Sequence, residues 1–475
     1  MQCAFRSVVL PVLPLFFLLV LGGCVKFGNQ QTHDITLSPV LTSSNPQISL
    51  FMVSRAEQEA PQVRLTVAAI ELLEGGQWVS LLRQPMTISS AQAAKGIMLD
   101  RVQVSAGQYD RIRYQLSQVV MERDGLETNL QLPPQPIEYP MDPSLTLQQG
   151  DSISLFLNWE VPSSLAKAPL FSPAITPMVQ HIPLATELAF VSCPEINTVY
   201  IIRTDQNRIC GSWGIPGRPT YLHSVKERNL LYLLAIDLAV IKVVELSTGK
   251  LLDQIRIPMA VKPSYMVVDR EGRNAYLLDQ ATDTLYRVDL RSGSLAAQGR
   301  QGGQLGFVTF LDDEQRLAVA SKRSQQVLLL DPGTLQVRQT IPVGSDPQGI
   351  HSDGQDLFVA EGRGNTVSVY HAGSGTTQRQ TVGHGPSRLL LHNRTLYVAN
   401  TQGGSLSILL PEQLTVVKNI PLGGTPGEMD ISLGRNWLYV TDAQGQGVAI
   451  LDLTNHRLAG KIDLKAQPLD IEVIQ

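Results

Sequence analysis

TPGEMDISLGRNWLYVTDAQGQGVAILDL, residues Thr425 to Leu453, reads as one structural repeat. Pro426 opens it after the turn residues Gly423 and Gly424. A short mixed strand, Glu428 to Ser432, leads through Gly434-Arg435-Asn436 to the apolar strand Trp437 to Thr441. A second polar turn, Asp442 to Gly447, leads to Val448 to Leu453, and Arg457 to Leu464 follows after Thr454-Asn455. Four short strands joined by tight turns make one antiparallel four-stranded sheet.

The unit recurs upstream. Opening turns fall at Pro219, Pro263, Gly306, Pro347, Pro386, Pro426 and Pro468, at spacings of 44, 43, 41, 39, 40 and 42 residues. A period near 40 with four strands per unit predicts a β-propeller. The second strand of each unit carries the same pattern, from Leu231-Tyr232-Leu233 and Ala275-Tyr276-Leu277 to Leu396-Tyr397-Val398 and Leu438-Tyr439-Val440. Tyr439-Val440-Thr441-Asp442 resembles the tetrapeptide of YVTN-type (YVTN/NHL-like) propeller repeats, and Tyr397-Val398-Ala399-Asn400 is a near variant. The resemblance covers residues 188–475 and implies a fold rather than an activity.

The two ends of the repeat region complete each other. After Pro468 one strand remains, Leu469 to Ile474; before Pro219 there are three, Leu188 to Ser192, Thr198 to Arg203 and Arg208 to Trp213. The C-terminal strand is therefore expected as the inner strand of a composite first blade, giving seven blades and no open seam.

At the other end, Arg6 precedes the apolar run Val8 to Leu21, and Leu21-Gly22-Gly23-Cys24 follows. That run is short for a membrane span and holds Pro11 and Pro14. Small residues before a Cys resemble the bacterial lipoprotein signal. The resemblance implies removal of residues 1–23, a palmitate-bearing lipid on Cys24 and attachment to the cell envelope. Val25, in place of Asp, implies by the same resemblance the outer membrane, facing periplasm or exterior. Several acyl chains anchor stably where one does not. The other reading is an ordinary secretory signal with an incidental Cys.

Residues 24–46 read as a polar tether, and residues 47–182 as an all-β domain. Gln47 to Val53, Gln62 to Ala69, Trp78 to Leu82, Gly96 to Val104, Gln108 to Val119 and Ser152 to Trp159 have strand patterns, broken by turns at Gly75-Gly76, Ala106-Gly107 and Asp124-Gly125. An antiparallel β-sandwich is expected, with Leu132 to Pro143 as a surface loop. Ser105-Ala-Gly-Gln-Tyr-Asp-Arg-Ile-Arg113 resembles the AGxYxxIR strand of an uncharacterised lipoprotein domain, and Phe171 to Pro177 fits its closing strand. The short join around His181 to Glu187 places the sandwich close to the propeller, which spans 188–475.

A net charge of -4, without a basic cluster, points away from nucleic acid. Beyond Cys24, the propeller region holds Cys193 and Cys210. They fall on strands separated by a third, roughly 10 Å apart by strand spacing, beyond disulfide reach.

Chemistry is sought on the inner strands, which border the channel. Counted from each opening residue, offsets three and five are largely apolar: Leu222, Met266, Ile350, Leu389, Met429, Ile471 and Val473. Offsets two and four give the channel-lining candidates Tyr221, His223, Tyr265, His351 and Arg388, and the carboxylates Glu428, Asp430, Asp470 and Glu472. Strand alternation puts these on one face. Four carboxylates on adjacent blades are a candidate cation site, with Ca²⁺ the expected ion; the bland reading is a solvated lining partly paired with Arg388. The chain carries no Cys-x-x-Cys-His, HExxH, GxSxG or P-loop pattern. No acid–base dyad of catalytic spacing emerges, so no catalytic residue is assigned. The expectation is a monomeric, non-catalytic envelope protein whose propeller and sandwich bind or scaffold a protein, peptide or glycan. The alternative is a lactonase-like hydrolase or lyase with a metal in the channel.

Overall fold

The computed structural model describes residues 45–54, 61–94, 96–123, 125–179, 187–311 and 315–474. The expected lipoprotein signal, Cys24 and most of the expected tether lie outside them. Among the described residues no helix is long and apolar enough to cross a membrane. The described residues are all-β, with two one-turn α-helices at Ser90–Ala94 and Val161–Leu165.

From Leu188 on, the described residues form seven four-stranded antiparallel sheets. Six are continuous in sequence. The remaining one runs Arg208–Gly214, Thr198–Arg203, Leu188–Cys193 and then Ile471–Ile474, so the C-terminal strand occupies its inner edge. Successive inner strands are neighbours in space, and Ile471–Ile474 touches both Pro426–Ser432 and Pro219–Val225. The circle of inner strands is thereby closed.

Within each sheet, burial follows strand position. Second strands such as Leu230–Ala235 and Trp437–Asp442 are buried on both faces, because each is sandwiched between adjacent sheets. Their Tyr232, Tyr397 and Tyr439 are among the largest fully buried side chains. Outer strands such as Thr376–Thr381 and Val337–Pro342 are polar and largely exposed, a composition that discourages edge-to-edge pairing.

The last residue of the repeated tetrapeptide has a definite job. Asp442 is 2 % exposed and accepts the N–H groups of Thr425 and Gly445, each at 2.9 Å. Asp279 accepts those of Val261 at 2.6 Å and Ala281 at 2.9 Å. Glu361 accepts that of Gly344 at 2.6 Å. In each case a buried carboxylate ties the end of the second strand to the link entering the inner strand, satisfying N–H groups that no sheet partner reaches.

One opening residue differs from expectation. Leu305, rather than Gly306, pairs with Ser321 as Pro263 pairs with Asp279 and Pro426 with Asp442. The inner strand is Leu305–Leu311, so offsets two and four fall on Phe307 and Thr309.

Residues 45–179 form two further sheets. A four-stranded one has the order Ile175–Val179, Ser152–Trp159, Gln47–Ser54, Ile97–Gln103. A six-stranded one is built on Gln62–Glu74 and Gly107–Arg123. Three corrections follow. Gln47–Ser54 and Ser152–Trp159 pair in parallel, so the arrangement is mixed rather than antiparallel. The expected loop Leu132 to Pro143 ends inside a strand, Ile137–Leu147, at the sheet's edge. Pro140 and Pro143 are tolerated there because an edge strand has one side without ladder partners. The strands also run longer than their patterns, to Glu74 and Arg123.

Gln47–Ser54 is buried on both faces. Ile48, Leu50 and Met52 face the core shared with the six-stranded sheet. Phe51 faces the other way and joins Met98 and Phe156 against Val191, Tyr200, Ile450 and Ile462 of the ring sheets. Ser154 donates to Ser212 at 2.8 Å, and Lys465 to the Leu99 carbonyl at 3.0 Å, across the same junction. Cys193 and Cys210 are buried and unbonded. Burial pushes both thiols up to about 12, which keeps them protonated near pH 7.

Candidate functional site

Offset two on the seven inner strands gives Tyr221, Tyr265, Phe307, Gly349, Arg388, Glu428 and Asp470. This layer divides the channel into an aromatic wall and a charged wall. The rings of Tyr221 and Tyr265 lie 4.7 Å apart, and Phe307 meets Tyr265 edge-on at 5.4 Å. Phe307 was hidden in the sequence because a Gly after a turn outranked a Leu as the opening residue. The only available signal was the hydrophobic alternation Leu305, Phe307, Thr309.

Arg388 joins the two walls. Its strand, Pro386–His392, and that of Tyr265 lie as nearly opposite as seven inner strands allow. Nη2 donates to the Tyr265 hydroxyl at 2.6 Å, Nη1 to the Ser387 carbonyl at 2.9 Å, and Nε to Glu428 of the adjacent sheet. The guanidinium carbon lies 5.4 Å from the Tyr265 centroid and 5.1 Å from that of Phe307, at cation–π range. Burial works against the guanidinium charge, but Glu428, Tyr265 and Tyr221 together outweigh it and the group stays charged. Gly349 makes room for this strut. A Cβ there would stand 2.6 Å from the Ser387 carbonyl oxygen and 3.1 Å from Arg388 Cα.

The other carboxylates point to the neighbouring strand. Asp470 accepts the N–H of Leu222 at 2.7 Å. Glu472 accepts from the N–H of Ser224 at 2.8 Å and its hydroxyl at 2.7 Å. Asp430 accepts the N–H of Val473 at 2.6 Å. An acid at one offset thus takes the N–H at the next offset of the following sheet. Those N–H groups face the channel from an inner edge that has no further strand beside it. Among the described residues no three His, Cys, Asp or Glu side chains are grouped to hold a metal. Glu428, Asp430, Asp470 and Glu472, the residues of the expected Ca²⁺ cluster, form an ion pair and three carboxylate–amide clamps.

Burial raises the proton affinity of Asp430, Asp470 and Glu472. Burial, with the Glu472 charge adding to it, pushes Asp430 up to about 8. Burial pushes Glu472 up to about 7, against the Ser224 hydrogen bonds. Asp470 is held well above the usual carboxylate range by burial and by Glu428. His223 and His351 lie at offset four on the Pro219–Val225 and Pro347–Ser352 strands. Burial lowers His351, which keeps it neutral near pH 7.

Above the strut, the face carrying the opening turns holds a cavity of about 570 Å³. Its floor includes Tyr221, Tyr265, Arg388 and Glu428. Its sides come from the turns and are more apolar than polar, with Ile236, Pro426 and Leu469 beside the polar groups of Thr401, Gln402 and Thr425. The volume lies within the range of about 300–1,000 Å³ usual for small-molecule sites.

No family model matches the chain, and none of the curated proteins does. Solved structures do resemble it in fold. A protein from Lactobacillus plantarum aligns at 18% identity and a TM-score of 0.53, over 61% of this chain and 99% of that one. A candidate 6-phosphogluconolactonase from Bacteroides fragilis aligns at 16% identity and 0.53, over 62% and 99%. A functionally unknown protein from Desulfotomaculum acetoxidans aligns at 11% identity and 0.54, over 61% and 99%. At these identities the likeness is one of fold, and that fold is the β-propeller.

Proposed function

We propose that this chain is a lipid-anchored envelope protein that binds a protein, peptide or glycan, without transforming it, at the mouth of a seven-bladed propeller. Its domains are a signal at 1–23, a tether at 24–46, a β-sandwich at 47–182 and the propeller at 188–475. The seven sheets and the C-terminal inner strand support the blade count. The anchor, on Cys24 and in the outer membrane, rests on the Leu21-Gly22-Gly23-Cys24 sequence. Palmitate labelling that persists in a Cys24→Ser variant would remove it.

The observation that carries the binding reading is how the channel's charges are used. Arg388, Glu428, Asp430, Asp470 and Glu472 each hold the ring together through a named partner. Directly above them is a formed cavity lined by groups suited to recognition. The second reading, a lactonase-like hydrolase or lyase, draws on the fold likeness to the Bacteroides protein. That reading needs channel groups able to take part in chemistry, and the channel carboxylates are committed to Arg388 or to backbone amides.

The two readings separate in a screen of saccharides, peptides and lactones that records both heat of binding and product. Saturable one-to-one binding with the compound recovered unchanged supports the binding module. Multiple turnover of any compound overturns it.

A further inference from the structure

Asp346 and Gln348, which line the mouth cavity, also line a second recess of about 430 Å³ beside it. This recess is cationic. Lys322 and Arg323 reach it from the turn after Arg316–Ser321, and Arg363 from the equivalent turn of the next sheet, after Asp356–Glu361. Its one carboxylate, Asp346, is already engaged: Lys322 Nζ lies 3.7 Å from it, and Gln348 Nε2 donates to it at 2.9 Å. Lys322 also donates to Gln348 Oε1 at 3.0 Å, so the amide holds the ammonium in place. Arg323 and Arg363 are exposed, and among the described residues neither guanidinium has an ion-pair partner. Two uncompensated guanidinium groups and one positioned ammonium thus line a recess that shares Asp346 and Gln348 with the cavity. The chain as a whole carries a net charge of -4, so this concentration of positive charge is local.

Guanidinium forks and a fixed ammonium are the groups that hold carboxylate and phosphate. The adjoining cavity offers hydroxyls and amides for a polyhydroxylated body, with Tyr221 and Tyr265 on its floor to pack against a ring. We propose, resting on the binding reading above, that the occupant is an acidic saccharide. Its sugar ring sits in the mouth cavity, and its carboxylate or phosphate sits on Lys322, Arg323 and Arg363.

The test is titration of the full protein, at low ionic strength, with glucuronate, glucose 6-phosphate, glucose and inorganic phosphate, in wild type and in the R323Q/R363Q double variant. At least one acidic sugar is expected to bind about tenfold or more tightly than glucose and than inorganic phosphate, with the advantage shrinking as salt is added. Whichever acidic sugar binds identifies carboxylate or phosphate as the anion. The double variant, altered only at exposed turns, is expected to keep its melting temperature and lose the preference. Acidic sugars that bind no better than glucose overturn the inference, as does inorganic phosphate binding as tightly as glucose 6-phosphate while glucuronate stays unbound. A preference that survives in R323Q/R363Q also overturns it. If neutral ligands bind in the mouth with no acid preference, this inference falls while the binding reading stands.

Discussion

Arg388→Met tests whether the strut across the channel is a structural element. The side chains of Arg388 and Glu428 are 14% and 17% exposed, so solvent screens their pair only weakly. Methionine removes the cation and its hydrogen bonds to Tyr265 and Ser387 while filling much of the same volume. Glu428 is then left in the channel without its counter-charge, close to Asp470. Breaking a buried pair from one side costs about 3–5 kcal/mol, a large share of the roughly 5–15 kcal/mol that holds a domain folded. The double variant Arg388→Met/Glu428→Gln removes both charges, and the stranded-charge cost disappears with them. Urea unfolding of wild type, both single variants and the double variant closes a thermodynamic cycle. The expected coupling between the two sites is about 2 kcal/mol or more. A single Arg388→Met loss below about 1 kcal/mol, or strictly additive losses in the double variant, would refute the strut.

Removing residues 468–475 should open the ring. Ile471, Val473 and Ile474 are each less than 8 % exposed, and burying three such side chains contributes about 5–9 kcal/mol, comparable to the whole stability. The truncated protein is expected to aggregate or be cut by protease; a melting curve like that of the full chain would mean the closure is wrong. The clamps give a pH signature. Asp430, at about 8, and Glu472, at about 7, lie above the ordinary carboxylate values of about 4. Folding therefore favours their protonated forms, so their contribution is fully present below about pH 4 and is lost as pH rises through about 7 to 8. The stability of wild type relative to Asp430→Asn should fall between pH 5 and pH 8, measured by urea midpoints; a constant difference would contradict the raised proton affinity of the buried acid. Gly349→Val should destabilise by about 1–3 kcal/mol through its clash with the Ser387 carbonyl. A neutral effect in thermal unfolding would show that the two strands have room to part.

The repeat and its closure were legible because they depend on local patterns. A Pro or Gly opens each unit, an apolar triplet fills each second strand, and strand counts at the two ends add to one sheet. The channel face was legible too, since period-two alternation sorted Tyr221, Arg388 and Asp430 onto it. What those residues do there was not. The acids bond to amides on the next sheet, 248 positions away in sequence for Glu472 and Ser224, and no local pattern encodes that register. Four carboxylates read along single strands suggest a cation; read across strands, each already has a partner. Phe307 was missed because the Gly rule for turns placed the strand one residue late, and a one-residue shift exchanges the two faces. Ile137–Leu147 was missed because two prolines mimic a loop at a sheet edge.

On the binding reading, the ligand sits in the mouth cavity above Arg388. Gln402 lines that cavity from an exposed turn, so Gln402→Trp should fill it without disturbing the ring. The decisive measurement is calorimetric titration of wild type and Gln402→Trp with a ligand returned by the binding screen. Loss of binding in a variant that melts like wild type is the predicted result; undiminished affinity in that variant would contradict the account.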